Sequence, residues 1–179
     1  MKPGRLTRQL LAQARHLAKD RDKGRPQQAS LRRATSAAYY ALFHFLTAEA
    51  CQAIFGGGDA AEEIRQVISR LFLHEEMKKA SGVFSSRKLG NQLLEPALGG
   101  TDIPEAVIAM AETFISLQEE RHVADYDLAA SFRRADVLGS IGRVEAAIEG
   151  WKGARLHAVA RLYLPTMLHW KRMKEKHRG

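Results

Sequence analysis

Hydrophobic residues recur every three or four positions through most of this chain, and the longest such run spans residues 30–55. The run contains no glycine or proline, and its spacing places the apolar side chains on one face of a helix. These residues are Leu31, Ala34, Ala38, Leu42, Phe45 and Ala48. Ser30 is a suitable N-cap, and the three glycines after Phe55 suit the C-terminal end. The pattern therefore predicts a long central helix whose alanines let a neighbouring helix approach closely.

The same periodicity predicts five further helical segments around the central helix. Four of them span residues 6–20, 60–80, 132–151 and 154–174, and the other begins at residue 102 and ends within residues 120–131. Asp102 is the expected N-cap of the fourth helix, and Pro165 is expected to kink the last. No segment alternates as a β-strand does. We therefore expect an all-α, up-and-down bundle of about five or six helices over residues 1–150, with a basic amphipathic C-terminal helix at 151–179 that extends the same domain.

The net charge of +8 is concentrated at the two ends of the chain. Residues 1–33 hold ten basic and two acidic residues, and residues 151–179 hold eight and one. Residues 34–150 hold ten basic and seventeen acidic residues. If the first and last helices lie side by side, the fold has one basic face that suits RNA or an acidic protein. The two ends could equally pair with the acidic middle or be solvated.

Length and hydropathy indicate a single soluble domain. No apolar run among the 179 residues approaches the roughly 20 that a membrane span needs, and the basic N-terminus lacks the apolar core of a signal peptide. The single cysteine, Cys51, falls on the apolar side of the central helix, where a buried thiol is the default. We expect a cytoplasmic protein without membrane contact.

Several kinds of active site are not supported by the sequence. The glycines at 56–58 follow a helix and no Gly-Lys-Ser/Thr occurs, so no phosphate loop is indicated. The seven histidines form no tight set with carboxylates at a metal-ligand spacing, and His74-Glu75-Glu76 is the nearest approach to one. We therefore expect neither a metal site nor a cofactor.

Two segments carry residue types that suit chemistry. The first is a polar face of the central helix, formed by Arg33, Ser36, Tyr40 and His44. The second is the end of the fourth helix, Arg121-His122-Val123-Ala124-Asp125-Tyr126-Asp127. Arg121 continues the apolar stripe of its helix, so its side chain is expected to lie in a seam between helices. A structural alternative is a buried ion pair between Arg121 and Asp125 that closes the end of the bundle.

The strings AAYYALFHFL on the central helix and ERHVADYD at the end of a later helix together resemble the HEPN superfamily (higher eukaryote and prokaryote nucleotide-binding). The closest likeness is to small stand-alone bacterial and archaeal members with an R-x-x-A-D-Y ending, and it covers roughly residues 5–150. It implies a helical bundle that commonly forms a homodimer, with this motif lining a shared cleft. Many members are metal-independent ribonucleases in which histidine follows arginine after four to six residues.

This sequence matches the arginine of that pattern as Arg121 but lacks the histidine. The three expected positions hold Tyr126, Asp127 and Leu128, while His122 directly follows the arginine. Cleavage of RNA needs a group that moves the 2′-hydroxyl proton and a cation for the phosphate. Arg121 suits the second role, and His44 or Asp125 would fill the first.

These residues lead to two hypotheses. In the first, an HEPN-like homodimer binds RNA or a nucleotide in a cleft of Tyr40, His44, Arg121, Asp125 and Tyr126, with or without RNA cleavage, as part of a toxin–antitoxin or defence system. Ser36, Arg33 and His122 complete this expected cleft. In the alternative, the bundle is a non-catalytic scaffold that binds a nucleotidyltransferase or another protein. Tyr126 is expected to be a packing and hydrogen-bonding residue, and its modification, as in some HEPN toxins, is an alternative that the resemblance leaves open.

Overall fold

A computed structural model describes residues 4–19, 27–56, 59–87, 94 and 102–176, and this part of the chain folds into helices with no strand. The all-α bundle expected from the sequence is thereby confirmed. The helices are α1 Arg5–Leu17, α2 Gln28–Phe55, α3 Asp59–Ser69, α4 His74–Phe84, α5 Glu105–Tyr126, α6 Arg134–Ala154 and α7 Ala158–Lys176.

Helix α2 is the centre of the bundle. It packs against α1, α3, α5, α6 and α7, and sixteen of its residues are buried. A helix that is surrounded in this way needs apolar or small side chains on most of its circumference. Helix α5 packs between α2, α4 and α6, while α7 packs on α4 and α2. The side chains that α2 and α5 present to each other therefore set the chemistry of their seam.

The segment 60–80, expected to be one helix, is two helices separated by a short turn. Backbone N–H groups of Arg70 and Leu71 donate to the carbonyls of Val67 and Ile68, which tightens the end of α3. Leu73 then serves as the N-cap of α4. Phe72 is buried in the turn, so packing holds the break although no glycine or proline marks it. As a result, His74 stands at the start of a new helix.

Both predicted N-caps are wrong. Helix α2 begins at Gln28 after Gln27, two residues before Ser30, and α5 begins at Glu105 after Pro104, not at Asp102. Neither cap residue makes a side-chain hydrogen bond. The Gln28 side chain instead crosses to the α5–α6 loop, where it donates to the carbonyl of Phe132 and accepts from its N–H at 2.9 and 2.8 Å. Tertiary bonds thus replace local capping here.

The two basic ends of the chain do not lie side by side in the described residues. Helix α1 packs on α2 and α6, whereas α7 packs on α4 and α2. Arg15 of α1 forms an ion pair with Glu145 of α6, in line with pairing between the basic end and the acidic middle. The expected basic tail depends on the side chains of residues 172 and 174–176 and on all of residues 177–179, which lie outside the described part of the chain.

The last turn of α6 is anchored by a buried carboxylate from α2. Glu49 Oε2 accepts hydrogen bonds from Trp151 Nε1 at 2.9 Å and from Arg155 Nε at 3.2 Å. Trp151 is fully buried and its ring packs on Tyr163 of α7. Residues of α2, α6 and α7 therefore pack together around a buried carboxylate that has two hydrogen-bond donors. Within the described ranges, no helix is long and apolar enough to cross a membrane.

Candidate functional site

Facing turns of α2 and α5 bring four of the predicted site residues together. Ser36 and Tyr40 lie one turn apart on α2, and Arg121 and Asp125 lie one turn apart on α5. Ser36 Oγ donates to Asp125 Oδ1 at 2.7 Å, and Arg121 Nη2 donates to Tyr40 Oη at 3.3 Å. Arg121 Nε lies 2.7 Å from Asp125 Oδ2, an ion pair without hydrogen-bond alignment. The contact between α2 and α5 thus holds the guanidinium of Arg121 in one position.

Three tyrosine rings surround this guanidinium. The ring centroids of Tyr39, Tyr40 and Tyr126 lie 5.9, 5.8 and 5.8 Å from the Arg121 guanidinium carbon, within the range of cation–π attraction. Burial lowers the pKa of Arg121, but the oxygens of Tyr40 and Asp125 more than offset it, so the pKa lies above its ordinary value. Arg121 is therefore a permanent cation.

The Arg121–Asp125 pair is reachable from solvent, which argues against a purely internal ion pair. The two side chains keep 19% and 31% of their exposure, and Tyr126 beside them is 64% exposed. A charge at such a position is held in place by its neighbours and still able to meet a ligand. Arg121 is thus a cation that its neighbours hold in place at the protein surface, where a ligand can contact it.

His74 of α4 belongs to the same cluster, which the sequence analysis did not predict. Its Nδ1 lies 2.5 Å from the hydroxyl of Tyr39, a fully buried residue. Burial, the charge of Arg121 and His44 all lower the pKa of His74. Burial also raises the pKa of Tyr39, so this phenol stays protonated. His74 is therefore a neutral imidazole at physiological pH whose ring is oriented by a hydroxyl.

His44 stands at the edge of the cluster. Its ring centroid is 6.4 Å from that of Tyr40 and 5.4 Å from that of Phe43, and Phe43 in turn packs on His74 at 4.3 Å. Burial lowers the pKa of His44, which makes it a second neutral imidazole. The two histidines thus flank one phenylalanine ring.

Of the remaining predicted residues, one lies outside this contact network and one touches only its exposed edge. Arg33 is exposed, and His122 is exposed with its ring 5.0 Å from that of Tyr126.

The arginine of α2 that matters structurally is Arg32. It donates to the carbonyls of Ala124 at 2.9 Å and Ala130 at 2.6 Å. Arg32 therefore caps the C-terminal end of α5, directly behind Asp125 and Tyr126.

Arg32→Met is expected to lower the free energy of unfolding by about 1.5–3 kcal/mol, because hydrogen bonds from a charged donor to carbonyls at the end of α5 are lost. Urea denaturation followed by circular dichroism measures the loss. The matched control is Arg33→Met, which changes the neighbouring exposed arginine and should stay within about 0.5 kcal/mol of the wild type. Equal losses in both variants would contradict the assigned role of Arg32.

Among the described residues, no group of three or more histidine, cysteine, aspartate or glutamate side chains is placed to hold a metal ion. The site is instead a cation, a carboxylate, two neutral imidazoles and three phenols. No protein-family model matches the chain, and neither a curated protein nor a solved structure matches it.

Proposed function

We propose that this protein binds single-stranded RNA at the Arg121 cluster and cleaves it without a metal ion. One observation carries the proposal: a fixed, solvent-reachable guanidinium shares a cluster with a neutral histidine that a buried tyrosine orients. Cleavage of an RNA phosphodiester needs a base for the 2′-hydroxyl proton and a cation for the phosphate, and these two groups can fill those roles. The likeness of the α2 and α5 motifs to the HEPN superfamily supports the same conclusion.

Binding would use the cation and the exposed ring beside it. Arg121 offers its Nη groups to a phosphate, since a planar guanidinium matches two phosphate oxygens. Tyr126 is 64% exposed, and an aromatic ring in that position can stack with a base. One phosphate and one neighbouring base would thus be held together.

Cleavage would proceed by transfer within the RNA. His74 takes the proton of the 2′-hydroxyl, the O2′–P bond forms, and the P–O5′ bond breaks. The leaving O5′ receives a proton from solvent, giving a 2′,3′-cyclic phosphate and a 5′-hydroxyl, and His74 later releases the proton it took to solvent. In the tautomer whose Nδ1–H donates to Tyr39, Nε2 carries the lone pair that this step needs. Arg121 neutralises the charge that develops on the phosphate.

Asp125 serves in this scheme as a positioning residue. Both of its carboxylate oxygens are engaged, one by Ser36 and one by Arg121. A carboxylate held in this way fixes the guanidinium and is poorly placed to accept a further proton. The proton-transfer role therefore passes to the histidines. A homodimer, and a place in a toxin–antitoxin or defence system, are parts of the proposal that rest on the HEPN resemblance.

A second candidate function, a scaffold for a protein partner, is favoured by a different surface. Ile64, Val67, Leu71 and Leu73 lie on α3 and the turn after it, and each is between 49% and 61% exposed. Contiguous apolar side chains of this size are typical of contact surfaces. A nucleotidyltransferase is the partner that the HEPN resemblance suggests, and it would dock on α3 while leaving the Arg121 cluster open.

The first test is an RNA-cleavage assay in the presence of EDTA with wild type, Arg121→Gln and Arg33→Gln. Wild type and Arg33→Gln should cleave, whereas Arg121→Gln should lose about 10²–10³-fold in rate, as when one donor to a developing oxyanion is removed. Circular dichroism checks the fold of each variant. Binding of a non-cleavable 2′-deoxy analogue should weaken steeply as salt rises. If folded wild type neither cleaves nor binds RNA, the RNA-cleavage proposal is wrong and the scaffold function remains.

A further inference from the structure

Helix α3 and the turn after it present a row of apolar side chains to solvent. Ile64, Val67 and Leu71 follow one another at spacings of three and four residues, and they are 49%, 61% and 55% exposed. The helix packs on α2, and Ile68 contacts the core. Exposed apolar residues that recur at the spacing of a helix face are typical of a helix that packs against a second helix. We call these three residues the α3 stripe.

Two exposed charges of opposite sign flank the α3 stripe. Glu63 directly precedes Ile64, and Arg70 directly precedes Leu71, so the two charges lie about two helical turns apart on the same edge of the stripe. Within the described residues, neither side chain takes part in an ion pair. A helix that packs on the stripe therefore meets a negative charge near one end and a positive charge near the other.

This arrangement is complementary to itself under a two-fold axis. When two such helices pack antiparallel, Ile64 of one copy meets the partner's Val67, and the reverse. The same rotation brings Glu63 of each copy beside the partner's Arg70, which gives two ion pairs of opposite charge. In a parallel pair, Glu63 would instead face position 68, which is an isoleucine. Apolar pattern and charge thus both favour the antiparallel arrangement.

We propose that α3 is the contact surface of a homodimer, in which the two α3 helices pack antiparallel through the α3 stripe. A second copy of this chain is favoured as the occupant because the surface complements itself in both apolar pattern and charge. The contact includes no residue of the Arg121 cluster, so the proposal does not depend on RNA cleavage. It competes with the scaffold function, which needs the same surface. Because so short a contact is small for a stable interface, we expect a dissociation constant in the micromolar range.

The first test is sedimentation equilibrium of the full chain across the micromolar range, with wild type, Val67→Glu and Leu156→Glu. Wild type should approach twice the mass of one chain as the concentration rises. Val67→Glu places a charge in the middle of the α3 stripe at an exposed position, so this variant should stay folded and monomeric. Leu156→Glu is the matched control, since Leu156 is 80% exposed on the turn before α7, and it should associate as wild type does.

Two outcomes of this experiment would overturn the proposal. In the first, wild type is monomeric at every concentration, which would leave the α3 stripe to a different protein. In the second, Val67→Glu and Leu156→Glu associate equally, which would place any dimer contact on another surface. Circular dichroism of each variant verifies that the helices are intact.

Exchange of the flanking charges tests the antiparallel arrangement. Glu63→Arg and Arg70→Glu each place two pairs of like charge across the axis, so the dissociation constant of each variant alone should rise about tenfold. In an equimolar mixture, one chain is basic at both positions and the other is acidic at both. The mixed dimer then has two pairs of opposite charge and should form with about the wild-type affinity. A mixture that associates no more tightly than the separate variants would contradict the antiparallel dimer.

Discussion

His74→Gln is expected to lower the rate of RNA cleavage by about 10²–10⁴-fold, the contribution of one positioned proton-transfer group. The reason is the geometry of α4: His74 Nδ1 meets the Tyr39 hydroxyl, and the ring lies close enough to Arg121 for that charge to lower the pKa of the imidazole. Single-turnover cleavage with EDTA measures the effect. RNA binding should change little, because the phosphate contact stays with Arg121.

The pH dependence distinguishes proton transfer from a structural role. Since the pKa of His74 is lowered from its ordinary value of about 6.5, the wild-type rate should rise with pH along a limb that lies below 6.5 and then level off. His74→Gln should lose this limb. Tyr39→Phe removes the orienting hydroxyl but leaves the imidazole, so it should keep the limb at a reduced rate.

His44→Gln serves as the comparison between the two histidines. If His44→Gln abolishes the acidic limb and His74→Gln does not, the base is on α2 and the assignment to α4 is wrong. Both variants should retain helical circular dichroism, because each imidazole is only partly buried.

Trp151→Ala is expected to lower the free energy of unfolding by about 3–5 kcal/mol, the usual cost of deleting a large aromatic side chain from a core. Trp151 is fully buried, and its indole N–H donates to the buried carboxylate of Glu49 at 2.9 Å. The substitution therefore leaves both a cavity and a carboxylate with one donor fewer. Equilibrium unfolding in urea, at constant pH, measures the difference.

Trp151→Phe is the matched control, because it separates the contribution of packing from that of the hydrogen bond to the free energy of unfolding. Phenylalanine fills most of the space but cannot donate to Glu49, so the expected loss is about 1–3 kcal/mol. A loss in Trp151→Ala no larger than that in Trp151→Phe would show that the corner of α2, α6 and α7 is held by the hydrogen bond alone.

Much of this architecture could be predicted from the sequence because helical periodicity is a strong signal. The apolar stripe of α5 leads to Arg121, and the four-residue spacings of Ser36 with Tyr40 and of Arg121 with Asp125 place each pair on one face. Two such faces on helices with small residues are expected to meet. Each face follows from local pattern, whereas their meeting in one cleft was an expectation from the HEPN resemblance.

The contribution of His74 could not be predicted, because it depends on a turn without a sequence marker. Residues 70–73 contain neither glycine nor proline, and the helical pattern runs through them. The break is stabilised by burial of Phe72, which is a property of the folded bundle. Arg32 and Arg33 show the same limit: adjacent positions differ by about 100° around the helix, and pattern alone did not tell which one faces the α5–α6 loop.

The turn between α3 and α4 has a consequence for when this protein could become active during its synthesis. His74 emerges from the ribosome well before Arg121, and nothing in α3 or α4 by itself orients the imidazole. The ring is set by Tyr39 of α2, and its partner cation, Arg121, belongs to the C-terminal half of α5. A nascent chain, or one truncated before α5, would therefore be latent. Under the proposed function, RNA cleavage would begin only after the bundle is complete.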